Sequence, residues 1–125
     1  MRPRVLLVDD HEIVRKGIRE LLDVPFLEIC GEASNGEEAV QKVLSLKPEL
    51  VLLDLSMPLM GGAEAMKQIR ELAPEVKIII LTMDHEIANT NGADAYVSKD
   101  SVVSELYQTI KSVLLCRRSP ENAPG

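Results

Sequence analysis

Short aliphatic runs alternate along this chain with segments whose apolar residues return every three or four positions. The runs cover residues 5–8, 27–30, 50–53, 78–81 and 95–97. Each has the length of a buried strand, and the third and fourth are apolar without alternation, as in strands covered on both faces. Between them, Val14, Ile18, Leu21 and Leu22 form a stripe after His11. Ala39, Val43, Leu44 and Leu46 follow Asn35, a good N-cap, and Met66, Ile69 and Leu72 follow Gly62. Val103, Leu106, Tyr107, Ile110, Val113 and Leu114 follow Asp100 and Ser101, a second capping pair. Pro48, Pro74 and Pro120 fall just past three of these segments, where proline cannot continue a helix. Five alternations across short loops predict an α/β domain: a five-stranded parallel sheet with helices on both faces.

Composition narrows the picture. A chain of 125 residues, 46% apolar, is one domain able to bury a core. Its three aromatics, Phe26, Tyr96 and Tyr107, leave that core aliphatic. The net charge of −6 argues against a nucleic-acid partner for this stretch of chain. Cys30 and Cys116 match no metal spacing and read as free thiols of a reducing compartment, so a cytoplasmic location is expected. No apolar stretch approaches the ~20 residues of a membrane span. The first residues run directly into a strand and do not read as a signal peptide. The organisation expected is a domain over residues 1–117 and a flexible tail or interdomain linker over 118–125.

In open parallel sheets, ligands bind at the carboxyl ends of the strands. The first strand ends in Asp9 and Asp10, the third in Asp54, the fourth in Thr82 and the fifth in Lys99. Three crowded carboxylates suit a hard divalent cation with oxygen ligands, Mg²⁺ above all. The blander reading of Asp9 and Asp10 is a helix N-cap pair; Asp54, ending an otherwise apolar central strand, has few bland explanations. A carboxylate beside a cation, a lysine and a threonine is equipped for phosphoryl transfer. Lys99 also serves as internal counterion to the acids, a role compatible with that chemistry. Thr82 alone is weak evidence, His11 reads as a solvent-facing first-turn residue, and the five methionines read as core filler.

These residues carry a resemblance. VLLVDDHEIVRKGIRELL, DLSMPLMGG, LT and GADAYVSKD resemble the receiver domain of two-component response regulators, a flavodoxin-like (βα)5 fold, over almost the whole chain. The spellings VDDHEIVRKGI and AYVSKD look most like the NarL/FixJ subfamily, whose full-length members carry a LuxR-type helix-turn-helix. The resemblance implies that Asp54 is the phosphoacceptor. It implies that Asp10, Asp54 and the backbone carbonyl of Ser56 ligate Mg²⁺, with Asp9 acting through a metal-bound water. It further implies that Thr82 and Lys99 bind phosphoryl oxygens and that Tyr96 turns inward as Thr82 moves. Met57, Pro58 and Gly62 match the loop after the acceptor strand. The Lys99–Asp100 bond corresponds to one that the family often holds in cis.

Two departures stand out. Between Thr82 and the fifth strand, the segment MDHEIANTN lacks roughly one and a half turns of the family's fourth helix. The fourth helix is therefore expected to be shortened or disordered, with residues 84–91 the least ordered part of the domain. No helix-turn-helix follows Arg118, so the output expected is either binding to another protein or, as the NarL/FixJ resemblance favours, DNA binding by an output domain outside this chain. The expected partner is a sensor histidine kinase. A homodimer through the first and fifth helices, sharing Leu106, Ile110 and Leu114 near Glu12 and Arg15, competes with a purely core role for those residues.

The function expected is a phosphorylation-controlled switch that catalyses its own aspartyl phosphorylation and dephosphorylation and controls transcription. Ser56 and Asp84 would border the phosphoryl group. The competing reading is a non-phosphorylated pseudo-receiver acting as an interaction module, against which the intact Asp9, Asp10, Asp54, Thr82 and Lys99 set argues. A stand-alone aspartyl-phosphate hydrolase fits poorly, because Ser56 occupies the place of its second aspartate.

Overall fold

The computed structural model describes residues 2–55, 61–82 and 93–115. Five strands, β1 (Arg4–Val8), β2 (Glu28–Ala33), β3 (Leu50–Asp54), β4 (Lys77–Thr82) and β5 (Ala95–Ser98), form one parallel sheet in the order β2-β1-β3-β4-β5. The order reverses between β1 and β3, which opens a crevice beyond their carboxyl ends. Among the described residues four α-helices accompany the strands: α1 (Glu12–Leu21), α2 (Gly36–Leu46), α3 (Gly62–Leu72) and α4 (Val102–Leu115). The last is the fifth helix of the sequence pattern; the segment expected to hold the shortened one, residues 84–91, lies outside the described residues.

Pleating divides the core. Leu6, Val8, Val51, Leu53, Ile78 and Ile80 face Ala39 and Val43 of α2 and Ala65, Met66 and Ile69 of α3. Val5, Leu7, Leu50, Leu52, Ile79, Leu81 and Val97 face Ile18 of α1 and Leu106 and Ile110 of α4. Both faces of β3 are therefore buried, which is why its sequence shows no alternation. β2, at the sheet edge, stays half-buried over most of its length and runs to Ala33, beyond the expected end at Cys30.

Local signals set the helix ends. Asn35 accepts from the backbone N–H of Glu38 at 2.8 Å, and Glu38 reaches back to the backbone N–H and hydroxyl of Ser34 at 2.8 and 3.0 Å. α4 departs from expectation: Ser98, rather than Asp100 or Ser101, accepts from the N–H of Asp100 and opens a 3₁₀ turn (Lys99–Ser101) that leads into the helix. No cis peptide occurs among the described residues, so the Lys99–Asp100 bond is trans, contrary to the family's habit. Aspartate lacks the tertiary amide that makes a cis bond cheap at proline.

Leu44, Leu72 and Val103 were expected on apolar stripes but are exposed, each lying off the buried face of its helix. Leu106 and Ile110 are fully buried against the sheet, so they supply core and cannot form the expected dimer edge. Leu114 packs partly into the same core. No helix among the described residues is long and apolar enough to cross a membrane.

Candidate functional site

The pleat that sorts the core also gathers the acids. Asp54 continues the Leu50 and Leu52 side of β3, which faces α1 and α4. Asp9 continues the Val5 and Leu7 side of β1, and Lys99 continues the Val97 side of β5. The three side chains meet: Lys99 Nζ stands 2.9 Å from Asp9 Oδ2 and 3.2 Å from Asp54 Oδ1. Asp9 and Asp54 are buried, at 1% and 3% exposure, so this ammonium supplies charge neutralisation that water cannot. Burial alone would lower the lysine's pKa; the hydrogen bond to Asp9 and the charges of Asp54 and Asp9 outweigh it and hold the ammonium above its usual value of 10.5.

Asp9 and Asp10 do not cap α1, whose N-cap is His11 without a side-chain bond. Asp9 Oδ1 instead accepts the backbone N–H of His11 at 2.9 Å. His11 is exposed, as its sequence context suggested, yet its Nδ1 lies 3.1 Å from Asp10 Oδ1 and 3.4 Å from Asp9 Oδ1. Donor atoms of Asp9, Asp10 and His11 all fall within 4.8 Å of one another. Asp9 Oδ2 and Asp10 Oδ1 are buried oxygens; among the described residues Asp9 Oδ2 faces the Lys99 ammonium at 2.9 Å and Asp10 Oδ1 faces His11 Nδ1 at 3.1 Å. Oxygen donors in excess of their counterions, with buried lone pairs left over, fit a hard divalent cation. Asp54 is not within the close Asp9–Asp10–His11 group; it joins Asp9 through Lys99.

Thr82 ends β4, whose Leu81 pairs with Asp54, and it is itself paired with Ser98 of β5. It continues the opposite pleat, that of Ile78 and Ile80. Tyr96 pairs with Ile80 and packs partly against the α2–α3 core. Ser56, Met57, Pro58 and Asp84 lie outside the described residues. Gly62 opens α3 directly against the end of β3. A Cβ there would stand 2.3 Å from the Asp54 carbonyl oxygen and 2.7 Å from Leu55 Cα, so only glycine fits.

Sequence reasoning missed the part that Arg15 plays here. Its guanidinium donates to the Asp9 carbonyl at 2.6 Å and to Glu32 Oε1 at 2.9 Å. Its place on the first turn of α1, six residues after Asp9, was the available signal.

The sequence pattern of the response regulator receiver domain matches residues 5–111. The nitrate/nitrite response regulator protein NarL of Escherichia coli K12 is 38% identical over 112 positions, covering 85% of this chain and 52% of NarL. The chain thus spans about half the length of that relative. Among solved structures, a LuxR-family two-component response regulator from Aurantimonas sp. SI85-9A1 superimposes with a TM-score of 0.88 at 37% identity, covering 99% of this chain and 94% of that one. A chain of the CheX–CheY–BeF3–Mg²⁺ complex from Borrelia burgdorferi superimposes with a TM-score of 0.83 at 25% identity, covering 90% and 89%. Fold, strand-end acids and sequence pattern agree, and the chain belongs to the response regulator receiver domains, with its kinship on the NarL-like side of that family.

Proposed function

We propose that this domain accepts a phosphoryl group on Asp54 from the phosphohistidine of a sensor kinase and passes the change to an output partner. The observation that carries this reading is the Lys99 ammonium shared by Asp9 and Asp54 at the switch point of the sheet. A carboxylate oxygen of Asp54 attacks phosphorus in line. The new O–P bond forms as the N–P bond breaks, and the departing imidazole takes a proton from solvent. Hydrolysis later returns inorganic phosphate and the free carboxylate.

Asp9, Asp10 and Asp54, with the Ser56 carbonyl, would hold Mg²⁺. Bound there, the ion supplies charge neutralisation for the phosphoryl oxygens. The Borrelia complex, which pairs BeF3 with Mg²⁺, supports this assignment by likeness. Lys99 leaves its two carboxylates for a phosphoryl oxygen, and Thr82 takes another. Phosphorylation brings about two negative charges. Tyr96, paired with Ile80 two residues before Thr82 on β4, follows as the switch aromatic. The two states differ in what meets the phosphoryl group, as a population shift requires. By likeness to NarL, the output is DNA binding by a domain outside this chain.

Acetyl phosphate with Mg²⁺ tests the proposal. Intact mass should show one phosphoryl adduct, absent without Mg²⁺ and absent in Asp54→Ala. No adduct on the unaltered protein would make the domain an interaction module, and an adduct that survives Asp54→Ala would move the chemistry elsewhere.

A further inference from the structure

Asp9 is held by its backbone as well as its side chain. Its N–H donates to the Ala33 carbonyl of β2 at 3.1 Å, and its carbonyl accepts from Arg15 at 2.6 Å. The second contact fixes the plane of the peptide that joins Asp9 to Asp10, and so the direction in which the Asp10 carboxylate leaves the chain. Arg15 is itself fixed. Its Nε bonds Glu32 Oε1 at 2.9 Å, while Glu32 Oε2 takes Arg19 at 2.8 Å and the Glu32 carbonyl takes Lys42 at 2.6 Å. Arg15 is largely buried, at 16% exposure, whereas Arg19 is about half exposed and shares Glu32 from the solvent side.

We propose that Arg15, steadied by Glu32, is a positioning residue that sets the Asp9–Asp10 peptide for cation binding. The inference rests on the proposed Mg²⁺ site. Lysine cannot replace it fully, because one ammonium on a flexible stem does not reproduce a planar fork that serves a carbonyl and a carboxylate together. Outer-shell contacts that orient ligands govern metal affinity in this way.

Calorimetric titration of Mg²⁺ alone into the purified protein tests it, with thermal unfolding measured in parallel. Arg15→Ala should weaken Mg²⁺ binding about tenfold, at the low end for outer-shell ligand partners. Arg15→Lys should fall between Arg15→Ala and the unaltered protein, and it carries the test if Arg15→Ala does not fold. Arg19→Ala also removes a Glu32 partner, so it should lower the unfolding temperature and leave Mg²⁺ affinity unchanged. Equal Mg²⁺ affinity in the unaltered protein and both Arg15 variants, with only stability altered, would overturn the inference while leaving the site intact. Equal weakening by Arg19→Ala would also overturn it. Absence of Mg²⁺ binding by the unaltered protein would remove the proposed metal site itself, and the inference with it.

Discussion

At the amino end of the sheet, Arg70 meets Asp94 at 2.7 Å, and the same Asp94 oxygen accepts the Ile78 backbone N–H at 2.8 Å. Arg70 also donates to the Val76 carbonyl at 2.6 Å. Among the described residues, Arg70 faces the Asp94 carboxylate and nearby backbone carbonyls. At the carboxyl end, Lys99 alone among the described lysines and arginines faces two buried carboxylates, and Asp10 adds a third acid to the rim. The first cluster matches cation to acid and ties α3 to β4 and β5. The second carries surplus negative charge in a buried place, which a fold tolerates when a ligand is to share it. Substitutions at the carboxyl end should therefore alter chemistry, and those at the amino end should alter stability.

The sharpest break between the two comes from Lys99→Ala. Loss of a preorganised charge at the transferring group should slow Mg²⁺-dependent phosphorylation by acetyl phosphate about 10²–10³-fold. Timed intact-mass measurements check this; a rate within about twofold of the unaltered protein, against that expectation, would make Lys99 a counterion only. The pH profile sharpens the point. The folded-state pKa of Lys99 is raised, so the stability it contributes is fully present below 10.5 and is lost as pH rises through the folded value. No decline assignable to Lys99 should appear in the neutral range.

Gly62→Ala ranks next, since the new methyl would collide with the Asp54 carbonyl rather than with a yielding side chain. Overpacking of this kind costs about 1–3 kcal/mol. Because the displaced backbone belongs to the acceptor, urea unfolding and phosphoryl uptake should suffer together. Asp94→Ala should cost a comparable amount, about 1.5–3 kcal/mol for hydrogen bonds to a charged group. It should leave the rate of phosphoryl uptake per folded molecule unchanged. A large loss of uptake there would erase the contrast between the two ends.

The smallest effect concerns Glu38. The Ser34 backbone N–H, foremost, holds its carboxyl below the usual 4.5 against a smaller opposing effect of burial, with help from the Ser34 hydroxyl and Lys42. A lowered folded-state pKa means stability present above 4.5 and lost as pH falls through the folded value. The gap in urea midpoint between the unaltered protein and Glu38→Gln should be open at neutral pH and close in acid.

Much of the molecule was legible from residue order. Uninterrupted aliphatic runs announced doubly covered strands, and the residues ending them, Asp9, Asp54 and Lys99, announced the rim, because a parallel sheet brings strand ends together whatever their distance in sequence. Less legible was whatever depended on a helix's rotation or a single turn. Leu44, Leu72 and Val103 fit a periodic stripe but sit at its margin, where a small rotation exposes them. Ser98 took the capping role from Asp100 and Ser101 because the chain enters a 3₁₀ turn first. Residue order placed Arg15 only near the expected dimer edge; its place six residues after Asp9 hinted at a tie to the rim, but its commitment to Glu32 depends on the packing of α1 beside β2.

The most direct measurement is reductive trapping. Acyl phosphate formed with acetyl phosphate and Mg²⁺ is reduced by borohydride, which converts the phosphorylated aspartate to homoserine, and the position is read by peptide mass mapping. Homoserine is expected at position 54 and at no other aspartate. Homoserine at position 9 or 10, with Asp54 unchanged, would contradict the assignment of Asp54 as the acceptor.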